Sequence, residues 1–158
     1  VMSTGQYAGA IAFFQNYESL ADFEKSFIVY QAANDYQELF NSGNAAVIMR
    51  NIAKYIDIPF EQKASAKAKY LVLTRVSEQE SMENEITSLA PVFANGGALT
   101  YRLANVITGS NVGNQLLGVT YSSMADVENV YDNLADDKTY SGLLGKVEVN
   151  MRNIISLK

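Results

Sequence analysis

One stretch of this chain occurs twice, and that constrains the fold more than anything else in it. Ser123-Met124-Ala125-Asp126-Val127-Glu128 echoes Ser19-Leu20-Ala21-Asp22-Phe23-Glu24 at an offset of 104 residues. The same offset aligns Tyr140 with Tyr36 and Leu143 with Leu39. After a two-residue slip, Met151-Arg152-Asn153-Ile154 repeats Met49-Arg50-Asn51-Ile52. Each copy reads as an amphipathic helix followed by a strand, so a folding unit is expected to have been duplicated.

The residue types that are absent narrow the chemistry. The 158 residues contain neither cysteine nor histidine. Disulfides, thiolate nucleophiles and zinc-thiolate sites are excluded, and so are the commonest general base and the usual haem ligand. No cofactor and no metal are expected. Any catalysis would fall to Asp, Glu, Lys, Tyr, Arg or the backbone. A net charge of −5 argues against nucleic acid, whose phosphates attract basic surfaces. No apolar run approaches the roughly 20 residues of a membrane helix. No signal peptide is visible, and a cytoplasmic location is expected.

Taken in order, residues 7–14 are apolar and read as a buried strand. Ser19 is a candidate N-cap, and Leu20, Phe23, Phe27 and Tyr30 form a helical stripe that resumes with Tyr36, Leu39 and Phe40. Residues 45–56 read as a strand. Residues 60–68 are small and polar, and read as a solvated connector between repeats, lysines included. Residues 69–76 form the next strand. Ser77-Glu78-Gln79-Glu80 matches a capping box ahead of a helix carrying Met82, Ile86, Leu89 and Phe93. Pro91 should kink or stop that helix. Residues 98–108 and 115–122 form a hairpin around a glycine-rich loop. Ser123 caps a helix with Val127, Val130, Tyr131 and Leu134 on one face, and residues 146–157 form the closing strand. Phe23, Phe27, Ile86, Leu89, Val127 and Tyr131 are the expected core.

The expected class is therefore α+β. Residues 69–158 read as β-α-β-β-α-β, the ferredoxin-like or split β-α-β order. Residues 1–59 match only the latter half of that unit. Either the earlier β-α-β lies outside this chain or the first repeat is half-sized. Alternation along 147–152 sets Val147, Val149 and Met151 against Glu148, Asn150 and Arg152. It therefore puts Arg50, Arg102 and Arg152 on the sheet face away from the helices. Six strands leave an exposed sheet edge, which a loop or another subunit should cover.

This duplication and element order resemble the dimeric α/β barrel superfamily in a tandem-repeat form. The group includes antibiotic-biosynthesis-type monooxygenases, muconolactone isomerases, EthD-like proteins and stress-responsive α/β-barrel domains. The resemblance implies antiparallel sheets packing into an α/β barrel from two subunits or two repeats, with a small ligand near the sheet. It thus implies a small-molecule-binding protein, cofactor-independent and monooxygenase- or isomerase-like, that forms a homo-oligomer. The alternative is a non-catalytic oligomerising or ligand-sensing module. A ligand-sized cavity with a perturbed polar group would favour the first, and an interior filled by side chains the second.

The candidate ligand-binding residues are Arg50, Tyr101, Arg102, Asn105, Tyr121 and Arg152. Arg50 and Arg152 sit at matching places, each followed by Asn, and a guanidinium fork suits carboxylates. The same residues would equally serve as ion pairs at a repeat interface. Tyr101 and Asn105 share strand parity while Arg102 points the other way, so the set cannot line one face. Plain core packing would also account for the tyrosines. No catalytic residue is assigned. Asp22 and Asp126 belong to first helical turns, and Asp136-Asp137 lacks the acidic ladder of a calcium loop.

Overall fold

A computed structural model describes the chain apart from residues 44, 64–65 and 79–81 and the side chain of Glu78. The described residues are α+β, with five helices and a five-stranded antiparallel sheet that does not close. The elements are α1 (Leu20–Ala32), α2 (Asn34–Asn41), β1 (Asn51–Ile56), β2 (Tyr70–Glu78), α3 (Glu83–Asn95), β3 (Ala98–Gly109), β4 (Gln115–Tyr121), α4 (Met124–Ala135), α5 (Lys138–Leu144) and β5 (Val147–Ser156). They fall into two compact units, residues 1–12 with 51–158 and residues 13–50.

In the larger unit the strand order is β1-β3-β4-β2-β5, every neighbouring pair antiparallel. The β3–β4 hairpin follows the sequence reading, with its loop at residues 110–114. α3, α4 and α5 pack against one face of the sheet. Ile86, Leu89, Phe93, Val130, Leu134 and Leu143 meet Val72, Tyr101, Leu103 and Val119 there, all at most 5% exposed. Ser123 caps α4 by accepting from the Asp126 N–H at 3.1 Å, and the Asp126 carboxylate returns a bond to the Ser123 N–H at 3.0 Å. This reciprocal pairing satisfies two of the four N–H groups that a helix start leaves open.

The smaller unit repeats the pattern at the expected offset. Ser19 caps α1 with φ −150° and ψ 164°, against −146° and 162° at Ser123. The break between α1 and α2 falls at Ala33, φ −78° and ψ 123°, and the break between α4 and α5 at Asp137, φ −78° and ψ 122°. Helix, helix and strand thus follow in the same order in both copies, β1 opening at Asn51 where β5 holds Asn153. The burial differs. No residue of α1 or α2 is buried, and Phe23 and Phe27 stack on each other only part-covered.

Several expectations are corrected. Residues 7–14 form no strand: Gly5 and Gly9 take positive φ, and the segment folds back on itself through bonds such as Gly9 N–H to the Met2 carbonyl. Met2 and Ser3 lie along β5 instead, pairing with Ile155 and Ile154. In residues 45–56 only Asn51–Ile56 pair, and Val47 and Ile48 are exposed. Ser77 lies in β2, so it does not cap α3. Met82 takes that position without a side-chain bond, and Gln79 and Glu80 fall outside the described residues. α3 runs through Pro91 to Asn95. The stretch read as a solvated connector is tied to β3: Phe60 stacks on Tyr101, the Lys63 N–H donates to the Leu99 carbonyl, and the Gln62 amide bonds both backbone groups of Tyr101.

The correction that matters most lies in β5. Arg75 pairs with Met151 but Val76 with Val149, so Asn150 is a bulge. One extra residue turns every later side chain over. Arg152 therefore joins Thr74, Val147 and Val149 on the helix side, not the face away from the helices.

Candidate functional site

The turnover in β5 assembles a polar corner where the helix layer meets the sheet. Arg152 Nε donates to the Thr74 hydroxyl at 3.3 Å, and its guanidinium lies 5.0 Å from the Tyr131 ring centroid. Thr74 faces the helices because it lies two residues from buried Val72 and Val76 in β2 and so shares their face. Tyr131 comes from the apolar face of α4, and Tyr140 from the first turn of α5, placed by the Asp137 cap. Burial pushes the Tyr131 hydroxyl up from its ordinary pKa, against the opposing pull of the Arg152 charge. A cavity of about 30 Å³ touches Thr74, Tyr140, Leu143 and Arg152. That is room for one water. It falls far short of the roughly 300 Å³ at which small-molecule pockets begin.

The earlier copy holds a matching arrangement. Arg50 lies 5.6 Å from the Phe27 ring centroid, and its Nη2 donates to the Tyr36 hydroxyl at 3.2 Å. Phe27 and Tyr36 stand 104 residues before Tyr131 and Tyr140.

The other candidate residues separate. Tyr101 is a core residue, its hydroxyl donating to the Ile86 carbonyl at 2.9 Å and its ring against Phe93 and Phe60. Tyr121 is wholly buried, and among the described residues its hydroxyl has no hydrogen-bond partner. Burial first, then neighbouring tyrosines, push both hydroxyls up, so neither is poised as a base. Asn105 accepts from the Gln115 amide at 2.7 Å at the far end of the sheet. Arg102 is on the open face, 5.3 Å from the Tyr55 ring centroid. Arg75, which pairs with Leu116 and Met151 in neighbouring strands, shares that face and donates to the Asn111 amide oxygen. Tyr101, Tyr121 and Arg152 thus lie on the helix side, Arg102 on the other, and Arg50 in the smaller unit.

Sequence reading missed Thr74, Arg75, Tyr131 and Tyr140 as site residues. Tyr140 carried a signal, since its alignment with Tyr36 is part of the repeat. Thr74 carried one too, as a polar residue between Val72 and Val76 on one strand face.

Electrostatically, the four arginines share a trait. Among the described side chains both ion pairs belong to lysines, Lys25–Asp22 and Lys146–Glu85, and no arginine meets a carboxylate. Three lie over aromatic rings and the fourth is held by an amide. Such stacking holds a guanidinium by its face and leaves its N–H edge available.

These features define an α+β protein with helices on one face of an open antiparallel sheet and, among the described side chains, arginines held by rings or an amide rather than by carboxylates. The chain belongs to the family described as a domain of unknown function, DUF6854, whose model matches residues 68–157. No curated protein matches the chain. Among the described residues no helix is long and apolar enough to cross a membrane.

Proposed function

We propose that this chain is a small-molecule-binding protein of the dimeric α/β barrel group, built from ferredoxin-like repeats in tandem, a partial one at 1–59 and a complete one at 69–158. It takes a small organic anion at Arg152, flanked by Thr74, Tyr131 and Tyr140. The observation that carries this reading is the set of arginines without carboxylate partners among the described side chains. In a chain of net charge −5, carboxylates are plentiful, yet among the described side chains the arginines donate only to neutral oxygens such as the Thr74 and Tyr36 hydroxyls, which leaves their charge for another anion. The strand order fits as well, since β2, β3, β4 and β5 stand in the 4-1-3-2 arrangement of a split β-α-β unit. Binding rather than catalysis is favoured. The cavity beside Arg152 is too small to enclose a substrate, and burial pushes the Tyr101 and Tyr121 hydroxyls up, away from a base's range. Calorimetric titration with benzoate, succinate and inorganic phosphate tests the reading. Saturable binding should fall about tenfold or more in Arg152→Gln, the size expected for losing a charged hydrogen-bonding group. Equal binding by the wild type and the variant would refute it.

A second reading, an oligomerising module, rests on the open sheet face. Leu71, Leu73, Leu116 and Met151 lie there only part-buried, beside Arg75 and Arg102. Two such faces packed together would form the barrel that the resemblance implies. Sedimentation equilibrium decides it: a dimer weakened by Leu73→Asp supports the reading, and a monomer at all concentrations opposes it.

A further inference from the structure

The two copies share caps, helix breaks and arginine–aromatic stacks, yet they differ in what covers their helices. In the later copy Val127, Leu134 and Leu143 are 6%, 0% and 5% exposed. The residues 104 positions earlier are Phe23, Tyr30 and Leu39, equally apolar or aromatic. Tyr30 is 37% exposed and Leu39 49%. α4 and α5 are covered by α3, whose Ile86, Leu89 and Phe93 pack into the same core, and by the sheet, α4 against β3 and β4 and α5 against β5.

We infer that the α1–α2 face is a docking surface for an α3-like helix: an amphipathic helix with an Ile/Leu/Phe stripe at the spacing of Ile86, Leu89 and Phe93, carried on a β-α-β partner segment from outside these 158 residues. The repeat identifies the occupant, because the counterpart face takes such a helix. The surface chemistry agrees. Phe23 meets Phe27 with ring centroids 6.0 Å apart, and Tyr30, Tyr36 and Phe40 form a second set of ring contacts bridging α1 and α2, with centroids 4.8–6.0 Å apart. Arg50 stacks at its edge, in the place Arg152 takes beside the covered helices. Exposed apolar area contiguous over two helices is a mark of an interaction site.

Amide hydrogen exchange on the full chain tests this. α1 and α2 should exchange on the order of 100-fold faster than α4 and α5, since an uncovered helix pair opens locally. A chain with a second copy of residues 69–109 fused through a flexible linker ahead of Val1 supplies the partner segment in cis. Protection of α1 and α2 should then rise at least tenfold, and Leu39→Asp in the fused chain should abolish that gain while leaving α4 and α5 unchanged. Three results would each overturn the inference. One is full protection of α1 and α2 in the unfused monomer. Another is protection that rises with concentration, which makes a second copy the occupant. The third is a fused chain whose α1 and α2 exchange as before.

Discussion

The Arg152 guanidinium lies 5.0 Å from the ring centroid of Tyr131, joining the outermost strand of the sheet to the middle of a helix. Arg50 and Phe27 make the same pair in the earlier copy at 5.6 Å. In both, the charge rests on a ring and the side chain reaches out by its polar edge.

That contact should contribute little to folding. Arg152 is exposed, and an exposed stack is worth about 0.5–1 kcal/mol. Arg152→Gln is therefore expected to lower unfolding free energy by no more than about that amount in urea. The anion binding proposed above should be lost in the same variant, which separates a binding role from a structural one.

Core truncations should divide the two helix layers. Leu89→Ala removes a side chain that is 1% exposed and should cost about 2–5 kcal/mol. Leu39→Ala, at the exposed face of α2, should stay within about 0.5 kcal/mol. Urea midpoints of the two variants measure the contrast. Equal losses would mean that α2 is packed as tightly as α3.

Gly97 should not tolerate a side chain. Its φ is +101°, and a Cβ there would stand 2.9 Å from an Asp126 carboxylate oxygen. Gly97→Ala should destabilise by about 1 kcal/mol or more, since alanine is strained where φ is positive. It should also loosen the cap of α4, read as faster amide exchange in its first turn.

Acid should weaken that same cap. Bonds from the Ser122 and Ser123 side chains, then from their backbone, hold the Asp126 carboxyl below its usual value. A group whose pKa is depressed by folding contributes stability above its unfolded value of about 3.9, and loses it as pH falls through the folded value. Asp126→Asn should flatten the acid side of the stability–pH curve below about pH 4. An unchanged curve would mean that the carboxylate is not held in solution.

How much of this was legible beforehand depended on what each element owes to local sequence. Ser123, Ser19 and the helical stripes are local signals, and the helices they define are present. Ile86, Leu89 and Val127 are buried as expected, but Phe23 and Phe27 are only part-covered, because periodicity reports which face is apolar and not whether anything covers it. Residues 7–14 failed as a strand because Gly5 and Gly9 turn the chain, and an apolar run carries no sign of whether a ladder partner exists. The site was legible only in part. Arg152 was picked out by the repeat, but its direction was misread, since alternation assumes an unbroken pleat. Thr74, Tyr131 and Tyr140 reach it across three separate elements, a proximity that spacing along the chain does not encode.

The bulge at Asn150 makes chain length, rather than residue identity, decide what Arg152 faces. Deleting Asn150 would leave the Met-Arg-Asn-Ile motif intact and still turn the guanidinium away from Thr74. Aligned by identity, such a homologue would score as keeping its arginine while having turned it to the other face of the sheet. An indel of odd length in the closing strand is therefore a more telling difference than a substitution, and counting residues back to the helix break is a better guide to where the guanidinium lies than matching letters.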